Sequence, residues 1–236
     1  MHPSPLPRVP LEVRPLDRDE ALDLYLSQQL PGPFASALRA SRAFRLITAA
    51  TPGLAELIAT GELRRLVQEE GFGHVVYDAP ATGHLLAMLD APGRFERAAA
   101  VGPIARRAHE YAEWVLSPKV TNVVAVTTGD ALAISELGDL VDALESRLGP
   151  PHLVVANRLA PTAPGAAELD GLGAVDGLPG SAADAVRALA ARARSERAQL
   201  GKITKRLGHP PLQCAERPEA PVSAVLDAFA TLGSPA

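Results

Sequence analysis

Asp78 has the clearest chemical setting in the chain. It ends the apolar run HVVYD and opens the turn-forming stretch APATGH, together His74 to His84. A short β-branched run without polar alternation reads as a parallel strand covered on both faces. Such a strand delivers its last residue to the carboxyl edge of the sheet, where ligands bind in open α/β folds. A carboxylate there can hold a magnesium ion, directly or through water, as in phosphate-transferring ATPases. The same Asp can instead cap a following helix. Pro80 stiffens the exit, while Thr82 and Gly83 allow a turn that can move.

Other reactive residues are sparse. Cys214 is the one cysteine, so an intrachain disulfide and a Cys-x-x-Cys metal clip are both excluded. The six histidines are scattered and show no metal-ligand spacing. Arg187, Arg192, Arg194, Arg197, Lys202, Lys205 and Arg206 lie on one helical stretch, read as a solvated face whose last turn complements the helix dipole. The formal net charge of −4 over 236 residues does not advertise a nucleic-acid partner. Prolines crowd the first ten residues, where a signal peptide needs an apolar stretch, and no run approaches the ~18 apolar residues of a membrane span. A soluble, cytoplasmic protein is expected.

These residues need a scaffold. Apolar residues make up 47% of the chain but aromatics only 4%, so Leu, Val and Ala must build the core, which favours helices packed on a sheet. Buried parallel strands are expected at His74–Asp78, Asn122–Thr127 and His152–Asn157, with weaker strand patterns at Pro10–Arg14 and Pro211–Cys214. Helices are expected over Asp17–Gln29 and over Pro52–Val67, the latter with Thr51 as N-cap. Val101, Ile104, Ala105, Ala108, Ala112 and Val115 mark one further helical face. Ile134, Leu137, Leu140, Val141, Leu144 and Leu148 mark another, ended by Gly149 and Pro150. Val186, Leu189, Ala193, Leu200, Ile203 and Leu207 line a long helix that Gly208 stops. Residues 161–181 read as a loop excursion. Alternating strands and helices imply an α/β fold, a parallel sheet with helices on both faces.

The segment DAPATGH resembles the DTAPTGH signature of the ArsA/Get-pathway ATPases. Flanking stretches are similar to this family in the same order: LEVRPLDRDEALDLYL from Leu11, TPGLAELIATGELRRLV from Thr51, MLDAPGRF from Met88, similar to the family's LxxP turn after the switch, VVAVTTGDALAISEL from Val123 and LVVANRLAP from Leu153. The resemblance covers most of Leu11 to Pro161 and, more loosely, the C-terminal third. It implies one P-loop NTPase-like domain over 1–236 with a helical insertion, at roughly 17–70 and 97–117. It also implies roles. Asp78 would be the second-switch carboxylate near magnesium and the attacking water, with Pro80 in the same motif. Thr82, Gly83 and His84 would belong to the segment that reports nucleotide state. Asn157 would hydrogen-bond the adenine edge of ATP. A homodimer is a possible assembly, and an apolar client helix or membrane protein a possible partner. The leucines of the helical insertion read first as ordinary core packing.

The family's phosphate loop, KGGxGK[ST], has no counterpart in this sequence. LGKIT, Leu200 to Thr204, lacks the earlier glycine and puts Ile203 where Ser or Thr must contact magnesium. GLGAVDGLPG, Gly171 to Gly180, has no lysine and follows no strand. The backbone amides and lysines of that loop cradle and neutralise the phosphates. The expectation is therefore a truncated or degenerate member, a nucleotide switch with an incomplete active site that does not hydrolyse ATP at a useful rate by itself. The alternative is a non-catalytic subunit paired with a P-loop-bearing paralogue.

Overall fold

Leucine and alanine at helical spacing dominate the first half of the chain, and every regular element among its described residues is a helix. The computed structural model describes residues 11–16, 21–23, 32–42, 51, 53–79, 81–99, 103–161, 164–171 and 179–230. The chain divides into two units, residues 1–116 and 117–236.

The first unit contains α1 (Gly32–Ala40), α2 (Leu54–Gln68), α3 (Thr82–Ala99) and α4 (Pro103–Val115). Helices α2, α3 and α4 pack on one another. Leu57, Ala108 and Tyr111 are buried between them, with Leu54 and Phe95 at the margin. The expected face of α4 is seen at Ala105, Ala108 and Val115, all buried, while Tyr111 joins the core unforeseen. Helix α2 starts later than expected. Gly53, not Thr51, is its N-cap, with φ 82°, a left-handed conformation that glycine adopts without steric cost. A Cβ at Gly53 would lie 3.5 Å from Phe95 Cε2, an ordinary van der Waals distance, so the backbone angle and not the space favours glycine there. Pro52 lies outside the described residues. Of the helix expected over Asp17–Gln29, residues 21–23 are described and are helical.

Two further expectations for this unit are corrected. MLDAPGRF, expected as a turn, lies inside the continuous helix α3, with Pro92 in its interior. Pro92 is fully buried; its packing against the core offsets the backbone bond that a mid-helix proline forgoes. His74–Asp78, expected as a buried strand, pairs with no strand among the described residues. Val76 is 92% exposed. Leu11–Arg14 is likewise irregular and exposed, and Pro10 lies outside the described residues. Arg14 bonds Glu12 and Glu70 and stacks over Phe72 at 5.3 Å.

The second unit holds β1 (Val124–Thr127), α5 (Ala131–Glu145), β2 (Leu153–Leu159), α6 (Ala166–Gly171), α7 (Gly180–Leu207), β3 (Leu212–Ala215) and α8 (Pro221–Ala230). The strands form a parallel sheet in the order β1-β2-β3. The α/β expectation holds here, on the second, third and fifth of the expected strands. The register puts Ala125, Thr127, Val154 and Ala156 on one face, where α5 and α7 pack on each other and on the sheet. Val155 and Leu212 share the other face and bury against Ala228 of α8 with Cys214. Helix α8 covers only β2 and β3, so Val124 and Val126 on the edge strand β1 remain 52% and 63% exposed. Gly208, at φ 78°, terminates α7 as expected. Helix α5 ends at Glu145, earlier than Gly149, and the chain then turns, with the Arg147 and Gly149 amides both donating to the Leu144 carbonyl. The excursion at 161–181 contains the short helix α6.

Among the described glycines, Gly129 has the least room for a side chain. A Cβ there would lie 2.6 Å from Glu196 Cγ and 2.9 Å from Leu159 Cδ2. Overpacking of this kind costs about 1–3 kcal/mol. Gly129→Ala is therefore expected to lower the stability of the full chain by about that amount, read from urea unfolding. An unchanged midpoint would show that α7 can retreat freely from the β1–α5 turn.

Candidate functional site

Asp78, Thr82, Gly83 and His84 all belong to the first unit, and Asn157 to the second. Pro80 lies outside the described residues. Asp78 is exposed on an irregular segment, and its carboxylate has no partner among the described residues. Thr82, Gly83 and His84 form the first turn of α3 in place of a loop, with the His84 amide donating to the Ala81 carbonyl at 2.8 Å. His84 and Tyr77 line a cavity of about 40 Å³ with Ile58 and Met88. A second cavity of about 100 Å³ lies among Glu62, Arg64, Arg65, Arg107 and Tyr111. Ligand pockets run to ~300–1,000 Å³, so neither cavity holds a nucleotide as it stands.

The carboxyl ends of β1 and β2 form the more elaborate setting. After β1, Thr128, Gly129 and Asp130 turn into α5. Asp130 is its N-cap, accepting the Ala133 amide at 2.9 Å and the Thr128 hydroxyl. These bonds, the Ala133 amide first, hold the Asp130 carboxyl below its ordinary value. Helix-opening turns of this kind are written in sequence as Thr or Asp just before an apolar periodic run, and TTGDALAI carries that signal.

At the end of β2 the register with β3 slips. Val155 pairs with Leu212 and Ala156 with Gln213, but Leu159 pairs with Ala215, so the intervening Asn157–Arg158 carries one residue more than its partner. Arg158 takes up the extra residue at φ 55°. A non-glycine residue in the left-handed region costs about 1–2 kcal/mol, so neighbouring groups must hold it. They do so from α7. Arg192 Nη2 donates to the Arg158 carbonyl at 2.7 Å, and the Ala160 amide donates to Glu196 Oε2 at 2.7 Å. Arg192 Nε bonds Glu196 Oε1 at 2.7 Å, and Arg192 Nη1 bonds Glu216 Oε2 at 2.8 Å. The Glu216 amide closes the ring by donating to the Leu159 carbonyl at 2.7 Å. Asn157 Oδ1 accepts the Arg158 amide at 2.9 Å, which settles which end of its side-chain amide faces the backbone.

Glu196 went unnoticed in the sequence, yet a signal was present. It stands among Ala193, Leu200 and Ile203 on the buried stripe of α7, where a charge is out of place, and it is 8% exposed. Buried charges need partners. Here Arg192 and the Ala160 amide supply them.

The donors present can be tested against magnesium and ATP. Asp78 is one exposed carboxylate, and no group of three His, Cys, Asp or Glu side chains among the described residues is arranged to hold a metal. Magnesium is held by one or two carboxylates together with substrate phosphates, and no phosphate cradle accompanies Asp78. The magnesium half of the site therefore does not fit as it stands. Asn157, with its amide donors free of any described partner, fits the edge of a base. No family model and no curated protein matches the chain. No described helix is long and apolar enough to cross a membrane.

The Glu216 carboxyl is held below the usual carboxylate range, chiefly by its hydrogen bond from Arg192. A depressed folded-state pKa contributes stability above the unfolded value and loses it as pH falls through the folded one. The melting-temperature gap between the wild type and Glu216→Gln is thus expected to be present at pH 7 and to close below about pH 4, near the ordinary Glu range. A gap that persists unchanged in acid would show that the Arg192–Glu216 charge pair contributes nothing.

Proposed function

We propose that the protein is an ArsA-type, nucleotide-responsive switch whose base contact is Asn157 and whose switch carboxylate is Asp78. The observation that supports this reading best is the amide of Asn157, fixed at the carboxyl end of the middle strand of a parallel sheet. That edge is where α/β folds take their ligands. The order of the sequence resemblances, with DAPATGH before VVAVTTGD and LVVANR, supports it independently. Phosphoryl transfer relies on positioning and charge stabilisation, and a single well-placed arginine is worth ~10³–10⁵ in rate. The 236 residues carry no phosphate cradle, so the chain by itself does not turn over ATP. Cytoplasmic residence accompanies this reading.

A second reading is favoured by β1. Its exposed Val124 and Val126 are apolar surface of a kind that partner chains cover. In this reading the protein is the non-catalytic subunit of a heterodimer, and a P-loop-bearing paralogue supplies the loop that cradles the phosphates.

Calorimetric titration of ATP into the full chain, alone and mixed with an intact ArsA-type paralogue, distinguishes these readings. Heat that Asn157→Ala weakens about tenfold is expected, a typical loss for a bidentate base contact. Absence of binding in both arrangements would sink the nucleotide reading. ATP hydrolysis by the purified chain that disappears in Asp78→Asn would overturn its inactivity.

A further inference from the structure

Helices α5 and α7 pack side by side on one face of the sheet, and their exposed sides carry opposite charge. Helix α5 holds Glu136, Asp139, Asp142 and Glu145, all exposed, and no Lys or Arg. Helix α7 reverses this. Beyond Asp184 its one carboxylate is the buried Glu196, while Arg194, Lys202 and Lys205 are exposed at helical spacing. Arg206 pairs with Asp142 across the two helices. Gly129, just before α5, lies against Glu196, so the helices run in the same direction. Segregation of this kind is unfavourable within each helix. Glu136 repels Asp139 and Lys202 repels Lys205, each pair three residues apart. The carboxylates near the end of α5 also face the negative pole of its dipole. A face that meets only water gains by mixing the signs, whereas this one keeps them in two parallel rows. Leu132 precedes Glu136 by one helical turn on the acidic row and is 69% exposed.

We propose that this face docks a second copy of the chain, with α5 of each copy seated on α7 of the other. A twofold axis running along the helices, between α5 and α7, carries each acidic row onto the basic row of the other copy. An axis across the helices would put like charge on like. One surface is thereby matched twice, and the assembly closes at two copies. An anionic polymer or lipid surface fits this face less well, because it would meet the carboxylates of α5 beside the cations of α7. Opposed charge rows give specificity and fast encounter more than affinity, and Leu132 adds an apolar anchor to each contact. The face lies apart from Asn157, at the carboxyl end of β2, and from the free edge of β1. It therefore stands whether or not the chain binds a nucleotide.

The test is sedimentation equilibrium of the full chain in low and high salt. A dimer is expected at about 0.05 M salt, weakening tenfold or more at about 1 M, where the screening length falls to ~3 Å. Lys202→Glu combined with Lys205→Glu should leave the chain monomeric, and so should Glu136→Lys combined with Asp139→Lys. Mixed in equal amounts, these two double variants should associate as the wild type does, because their rows are again opposite. Circular dichroism identifies the variants that stay folded. Should either fail to fold, acetylation of the wild type gives the same reading. The chain has three lysines. In low salt Lys202 and Lys205 should react several-fold more slowly in concentrated than in dilute protein, with Lys119, in the turn before β1, as the reference. A wild type that stays monomeric in low salt overturns the proposal. So does a dimer that survives both charge reversals, a mixture of folded variants that fails to associate, or unprotected Lys202 and Lys205 in the dimer.

Discussion

Where β2 leaves its ladder, two backbone groups lose their regular partners and one residue is forced into the left-handed region. A buried backbone amide without a partner costs as much as a lost hydrogen bond, so the whole carboxyl end of the second unit is arranged around satisfying it. Glu196 accepts the Ala160 amide and needs a counter-charge, Arg192 supplies it, and Arg192 in turn reaches the Arg158 carbonyl and Glu216. Gly129 must be a glycine because Glu196 occupies the space a side chain would take. The glycine before α5 and the hold on the backbone after the strained Arg158 both follow from one carboxylate placed inside a helix stripe.

The first unit shows the same constraint left unmet. HVVYD has the composition of a buried parallel strand, but a strand is stable only through its neighbours. With no described strand beside it, the segment is irregular, and Val76 faces outward. At β1 in the second unit a ladder exists on one side only among the described residues, and its valines, on the face that α8 covers at β2 and β3, are exposed. The elements that did form well, α2 with α4 and α5 with α7, are those whose apolar stripes find a matching stripe within the same unit.

Much of the second unit was legible residue by residue. Ile134, Leu137, Leu140, Val141 and Leu144 read as a helix face and are buried as one. The valine runs read as strands and pair in parallel, and Gly208 stops its helix. Such features are local, carried by hydrophobic period and capping chemistry. The candidate site was legible only in part. Asn157 and Asp78 could be picked out from their place at the end of apolar runs, but Glu196, Arg192 and Glu216 could not be attached to the backbone of Arg158–Ala160, because their contacts join residues far apart in sequence. MLDAPGRF misled for the opposite reason: a proline is a strong local breaker, and burial of Pro92 overrode it.

The sequence by itself determined the periodicities, and with them the helices, the three paired strands and the α/β class of the second unit. It also determined the chemical inventory, including the Asp and Asn at strand ends and the lack of a KGGxGK loop within these residues. Tertiary structure decided which apolar run becomes a strand, since HVVYD and NVVAVT look alike in composition and only the second meets a ladder. It decided as well that β2 would bulge and that a glutamate in an apolar stripe would hold the bulge in place. Both outcomes depend on hydrogen-bond partners brought together by folding, which no local pattern encodes.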